Sequence, residues 1–381
     1  MSTDPSPDSA ASGASWAHTA RETIESIAIA FALAFLFKTF EAEAFVIPTG
    51  SMAPTLMGRH KDVVCPECGY RYSASGSEEA DRNGNVWRTR EGQIDSSRQV
   101  VACTCPNCRF YMNVDPLDES VEPSPSYSGD RIWVSKVPYH LMEPRRWDVI
   151  VFRFPEESET YYIKRLIGLP GETVRIYHGD IYTRTGDERD FTIQRKPPEK
   201  LRAMAQIVYD NDFVSSALVK QGWPQRWQAV SDETAIGAWH VSDDTRSFAT
   251  DGSAQGETWV RYFHRVPSQE NWRDILDGRW SQGRAITPQL ITDFYSFNTR
   301  VVRDSYGPTA SMLGLHWVGD LLLDCEVDVQ GDHGNVLLDL VKGGRHFRAT
   351  IDVADGRAVL GIDGIDDWHP AASTSVRGPG K

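Results

Sequence analysis

The chain has 381 residues and a formal net charge of −13, with 53 acidic against 40 basic side chains and no basic stripe, which excludes a nucleic-acid binder. At roughly 150 residues per domain the length allows two or three domains, and 12 tryptophans with a hydrophobic content of 40% point to a substantial buried core. Five of the 6 cysteines, Cys65, Cys68, Cys103, Cys105 and Cys108, fall together and Cys325 stands alone, a pattern that reads first as metal binding and not as a disulfide scaffold.

Residues 1–20 are rich in Ser, Ala, Asp and Pro without an apolar period, so they are expected to form a disordered tail. The run from Ile27 to Phe37 is uninterruptedly apolar and is closed by Lys38. With Ile24, Phe40 and a snorkelling Lys38 it approaches the lower limit of a membrane span, so a transmembrane helix is expected over 21–40. A signal peptide has an apolar run of similar length, with Ala42-Glu43-Ala44 as the nearest cleavage sequence, and a buried core helix is the third reading. Arg21 on one side and Lys38 on the other leave orientation open.

Phe45 to Leu56 follows at once, with Ser51 held between Gly50 and Met52 and the chain stiffened by Pro48 and Pro54. A serine fixed in one orientation is what a nucleophile needs, although Pro-Thr-Gly-Ser by itself is usually only a turn. Next come two turns of near-identical form, Cys65-Pro66-Glu67-Cys68-Gly69-Tyr70 and Cys105-Pro106-Asn107-Cys108-Arg109-Phe110, separated by 36 residues. Two Cys-x-x-Cys turns bring four thiolates to the corners of a tetrahedron, so a structural Zn²⁺ on Cys65, Cys68, Cys105 and Cys108 is expected, in a ribbon over 65–110 with Cys103 as a spare. Disulfides are the alternative should the domain lie outside the cytoplasm.

Short β-branched and aromatic runs dominate from Tyr127 onward: Arg131 to Lys136, Trp147 to Phe154, and Tyr161 to Leu166. Glu172 to Tyr182 reads as a hairpin with Gly179-Asp180 at its tip. These segments make an antiparallel β domain from 41–64 and 111–200. Residues 201–300 carry Trp and Gln with weak periodicity, and strand runs resume at Trp317 to Val329, Val336 to Val341 and Phe347 to Val353, the last ahead of an Asp355-Gly356 turn. A β-sandwich of the lectin or laminin-G kind is expected over 201–365, with an unstructured tail over 366–381. The fold class is therefore mainly β, with an N-terminal transmembrane helix, a β catalytic domain carrying the zinc ribbon, and the sandwich.

A serine hydroxyl is nearly inert until a base takes its proton, and a lysine, with a pKa of about 10.4 in water, serves only when burial favours its neutral form. Strand alternation puts Tyr162, Lys164 and Leu166 on one face, so Lys164 is expected to be desolvated between an aromatic and an aliphatic neighbour. Lys136, following Trp133-Val134, is the competing candidate.

Taken jointly, Pro48-Thr49-Gly50-Ser51-Met52-Ala53-Pro54-Thr55-Leu56, Gly129-Asp130, Trp147 to Phe152 and Lys164 to Glu172 resemble the type I signal peptidases, membrane-bound proteases with a Ser/Lys dyad. The resemblance covers roughly 21–60 and 128–182. It implies Ser51 as nucleophile, Lys164 as its base, and an oxyanion hole from the Ser51 N–H and the Thr49 hydroxyl. It further implies preprotein signal peptides as substrate, laid as an added strand between the segments before Ser51 and Lys164, with no cofactor in catalysis. Membrane lipid, and the secretion translocon as a further partner, go with a single-pass protein whose catalytic domain faces the outer side of the cell membrane. The family's later box, Gly-Asp-Asn followed by Ser-x-Asp-Ser-Arg, is not found: Ser242 to Arg246 has only a similar tail, and Arg303-Asp304-Ser305 is too short. An inactive relative acting as a membrane-tethered binding protein is the alternative function.

Overall fold

The computed structural model describes residues 8–36, 38, 42–81, 84–230, 239–254, 256–304 and 313–380. Antiparallel strands are the main regular structure of the described residues. Ala42–Val46 pairs with Arg131–Ser135, Ala44 standing opposite Trp133. His60–Val64 lies between Arg71–Ser75 and Ser126–Tyr127, while Val100–Thr104 lies between Tyr111–Asn113 and Val301–Val302. Inward residues of these two small sheets, Val63, Ala74, Val100, Cys103, Met112 and Val114, form one buried cluster. Val149–Phe154 and Glu157–Arg165 form a two-stranded ribbon in which Ile150 faces Lys164.

The hairpin Glu172–Tyr177 and Asp180–Thr185 is present, with its tip one residue earlier than expected, at His178-Gly179. Both tip residues have positive φ, 49° and 84°, which a two-residue turn matching the strand twist requires.

The expected transmembrane helix needs correction: among the described residues no helix is long and apolar enough to cross a membrane. Helix Asp8–Leu36 begins inside the expected tail and has 29 residues, about 43 Å at 1.5 Å per residue. The turns just ahead of Ile27 carry the ion pairs Arg21–Glu25 at 2.7 Å and His18–Glu22 at 3.3 Å. The apolar stretch from Ile27 to Leu36 spans only about 15 Å, against a hydrocarbon core of about 30 Å. Residues 1–7 of the expected tail and residues 37 and 39–41 lie outside the described residues.

The β-sandwich expected over 201–365 also needs correction. One four-stranded antiparallel sheet forms there, Asn335–Lys342, Arg345–Asp352, Arg357–Ile362 and Ala371–Ser373 in that order. No second sheet of comparable size is formed among the described residues of this half. Its last strand falls in the expected tail, which is further tied by the pairing of Val329 with Gly380. Within the expected strand run from Trp317 to Val329 the described residues make only isolated pairings, with Thr292 and Gly380.

Several apolar residues of this stretch pack instead on the cysteines. Leu218, Trp223, Trp272, Ile275 and Trp280 are buried in one cluster with Cys65, Cys68, Cys105 and Cys108. The short helix Gln269–Leu276 owes its start to a capping box between Ser268 and Asn271, and it turns Trp272 and Ile275 inward.

Candidate active site and cysteine centre

Ser51 lies in a single 3-10 turn, Gly50–Met52, closed by Ala53 N–H donating to Gly50 O at 3.0 Å. Pro48 and Pro54 flank this turn, and Met52 beneath it is buried. Gly129-Asp130 clamps the loop from behind: Ile47 N–H donates to Asp130 O, Asp130 N–H to Met57 O, and Met57 N–H to the Asp130 carboxylate at 2.7 Å. Such close backbone approach needs glycine on both sides. A Cβ at Gly129 would lie 1.9 Å from Ile47 O, and one at Gly58 would lie 2.3 Å from Thr49 C and 2.7 Å from Gly50 N. Because those obstacles are backbone atoms, Gly58→Ala is expected to destabilise the chain by about 1–3 kcal/mol or more. Urea unfolding measures this, and an unchanged midpoint would refute the tight packing.

The opposite wall is the ribbon. Lys164 Nζ donates to Ser51 Oγ at 3.0 Å and to Ile163 O at 2.9 Å, and stands 5.8 Å from the Tyr162 ring centroid. Alternation thus brings Tyr162 and Lys164 to one face as expected. The expected desolvation of Lys164 is not found: both Lys164 and Ser51 are exposed, their contact lying at the surface of the two-stranded ribbon. Lys136 is drawn off to Glu43, with Nζ 3.0 Å from Oε2.

The loop after Lys164 is held by Arg146, which donates to Ile167 O and pairs with Glu172, whose other oxygen accepts from Leu169 N–H at 2.7 Å. Arg146 holds the Glu172 carboxyl below the usual carboxylate range. Arg165 ties the two walls together by donating to Trp147 O and to Thr55 Oγ1. Thr49 is exposed at the entry of the 3-10 turn, and its hydroxyl makes no capping bond to the turn backbone.

The two cysteine turns are built alike. Cys65 N–H donates to Tyr70 O and Cys105 N–H to Phe110 O, while Gly69 and Arg109 N–H close each turn onto the carbonyls of Cys65 and Cys105. Gly69 and Arg109 both have positive φ, 76° and 63°. The four sulfurs lie within 4.8 Å of one another, with Cys65–Cys108 at 3.5 Å and Cys68–Cys105 at 3.7 Å. Four ligands at about 2.3 Å from one Zn²⁺ would sit about 3.8 Å apart, so the residues fit a tetrahedral thiolate site. Hydrogen bonding among the sulfurs, with Cys105 the strongest influence on the other three, holds Cys68 and Cys105 below the ordinary thiol range and Cys65 and Cys108 above it. Cys103 stays outside this group, bonded to Tyr72, and burial pushes its thiol up to about 11.

Several supporting residues had no sequence signal that assigned them. Asn107 is fully buried and binds Phe213 O, Asp210 O and Asp210 N–H, and its carbonyl accepts from Arg226. Trp272 Nε1 donates to Cys108 O at 2.9 Å, and its ring meets Phe110 edge-on. The tryptophan-rich composition after residue 200 was the visible trace of this cover, but without a period it did not say what is covered.

A sequence profile described as "Signal peptidase, peptidase S26" matches residues 100–223. Signal peptidase I of Leptolyngbya laminosa is 37% identical over 104 residues, 22% of this chain and 51% of that protein. Probable signal peptidase I-1 of Synechocystis sp. is 40% identical over 78 residues, 19% of this chain and 39% of the relative. Signal peptidase I of Rickettsia bellii is 56% identical over 39 residues, 10% and 14% of the two chains. The chain thus spans about half or less of the length of these relatives. No solved structure matches.

Proposed function

We propose that this chain is a serine endopeptidase of the signal peptidase I kind, cleaving signal peptides from preproteins with a Ser/Lys dyad. The observation that carries this reading is the contact of Lys164 Nζ with Ser51 Oγ at 3.0 Å, made between residues 113 positions apart in the chain. The peptidase matches, of which the family profile spans the Lys164 strand at residues 100–223, support the choice of substrate class.

Neutral Lys164 takes the hydroxyl proton as Ser51 Oγ attacks the scissile carbonyl, and the ammonium so formed returns a proton to the leaving amine. An ester on Ser51 remains, and water activated by Lys164 releases the new carboxylate. The Ser51 N–H and the uncapped Thr49 hydroxyl are the donors proposed for the developing oxyanion, each such donor being worth about 3 kcal/mol. With Ser51 and Lys164 both exposed before substrate arrives, the bound peptide strand itself serves to exclude water. Phe45 and Tyr161, in edge-on contact at 5.0 Å, join the two segments between which it would lie.

Cys65, Cys68, Cys105 and Cys108 would hold a structural Zn²⁺, which supplies cross-linking and no catalytic chemistry, since four thiolates leave no open position. For the place of action we propose a membrane surface, on the outer face, where the substrate class is presented. Ile27, Ile29, Phe31, Leu33 and Phe35 are all exposed on the N-terminal helix, a surface suited to insertion at a lipid interface. The chain is expected to float with anionic lipid vesicles in a density gradient, and Phe31→Asp with Phe35→Asp to stay at the bottom. Equal recovery of both proteins without lipid would remove this attachment.

The test of activity is cleavage of a model preprotein by the full chain, with the new N-terminus sequenced. A single cut after the signal peptide is expected. A folded, zinc-loaded protein that leaves the preprotein intact would overturn the reading.

A further inference from the structure

Signal for the position of Ser51 comes from a segment far along the chain. Phe297 is 2% exposed and its ring lies against Gly50, the residue before Ser51. A Cβ at Gly50 would meet Phe297 Cε1 at 1.9 Å, Cζ at 2.7 Å and Cδ1 at 2.9 Å, so the ring occupies the volume that any other residue's Cβ would take. The ring is fixed in its turn. It stacks on Tyr295 at 5.8 Å between centroids, and the Ser296–Asn298 turn is closed by Thr299 N–H donating to Ser296 O. Thr299 Oγ1 also donates to Ser296 O at 2.7 Å and accepts from Thr104 N–H at 2.9 Å, beside Cys105. Arg300 pairs with Glu78, and Val301 pairs with Ala102, so the chain is anchored directly after the ring.

We propose that Phe297 is a positioning residue for Ser51: it backs the Gly50 peptide and sets the distance from Ser51 Oγ to Lys164 Nζ. The proposal rests on Ser51 being the nucleophile. Lys164 sits on a ribbon of only two strands and Ser51 on a turn of three residues, so the separation of their side chains depends on what stands behind each backbone. Displacement of a reacting group by about 1 Å costs on the order of 100-fold in rate. Phe297 acts through Gly50, the residue its ring lies against.

Phe297→Ala is expected to lower kcat for a preprotein by about 10-fold or more with KM within about twofold, and Phe297→Leu to restore most of it. Gly50→Ala is expected to be impaired for the reciprocal reason, and combining it with Phe297→Ala to recover activity over Gly50→Ala alone, since the ring's space then takes the new methyl. Hydrogen exchange of the Ala53 and Leu56 amides, whose bonds to Gly50 O and Met52 O hold the turn, gives a readout without catalysis. Faster exchange in Phe297→Ala, with the Val100–Thr104 amides unchanged, is expected. Unaltered exchange at Ala53 together with unaltered kcat would overturn the proposal. Should the wild type cleave nothing, the functional reading fails on its own, and the exchange result still decides whether Phe297 sets the Ser51 turn.

Discussion

Replacing Lys164 with alanine is expected to lower preprotein cleavage by about 10³-fold or more, and Ser51→Ala to do the same, with the double variant no worse than either. The two groups act as one unit: without the amine the hydroxyl keeps its proton, and without the hydroxyl there is nothing to deprotonate. Lys164→Arg tests this more sharply than alanine does. A guanidinium keeps the charge and the donor but is always protonated, so it cannot accept the serine proton and should be as inactive as alanine. Since Lys164 is exposed and outside the buried clusters, thermal stability should be unchanged in both variants, which separates lost chemistry from lost fold. Lys136→Ala is expected to retain cleavage, because Lys136 is engaged with Glu43 and not with Ser51. Full activity in Lys164→Arg would sink the dyad.

The second large effect is expected at the cysteines. Cys108→Ser should reduce bound zinc from about one ion per chain to a small fraction and unfold the surrounding core, since structural zinc in small modules is worth on the order of 10–16 kcal/mol. Leu218, Trp223, Trp272, Ile275 and Trp280 pack on these thiols, so tryptophan emission should shift to the red together with the metal loss. A strong chelator should reproduce both changes in the unmodified chain. Cys103→Ser and Cys325→Ser should keep the metal, as Cys103 bonds Tyr72 and Cys325 is exposed and outside the sulfur group. Metal content that stays the same in Cys108→Ser would exclude this ligand set. Metal loss should also weaken cleavage, because Thr104, next to Cys105, holds Thr299 and through it the turn carrying Phe297.

Much of the site was readable because its information is local. A serine between prolines and glycine, two Cys-x-x-Cys turns, and a strand whose alternation puts Tyr162 beside Lys164 each depend on residues a few positions apart. The mainly β character was readable for the same reason, as strand propensity and turn residues act over short spans. At the hairpin, the tip shifted by one residue because pairing of Tyr177 with Asp180 leaves His178 and Gly179 to make the turn.

Apart from the membrane span, which failed on the length of its apolar run, what failed were inferences that needed a neighbour distant in sequence. Period two says which face Lys164 takes but not whether anything covers that face, and the ribbon leaves it exposed. Sequence alone groups the weakly periodic stretch after residue 200 with the strands that follow it, whereas its buried tryptophans have their partners at the cysteines, more than 100 residues earlier. Phe297 carries no motif at all, and its relation to Gly50 exists only as a distance.

By itself, then, the sequence determined the chemistry on offer: one constrained serine, two strand lysines, four thiols paired by spacing, and an apolar run whose length suggested a membrane span. Tertiary structure alone brought the expected lysine to the serine: Lys136 is held at Glu43, and Lys164 Nζ meets Ser51 Oγ at 3.0 Å. It also placed Leu218, Trp223, Trp272, Ile275 and Trp280 over the cysteines, because the apolar area of three tryptophans can be buried only where a partner surface lies in space, and no spacing along the chain specifies that.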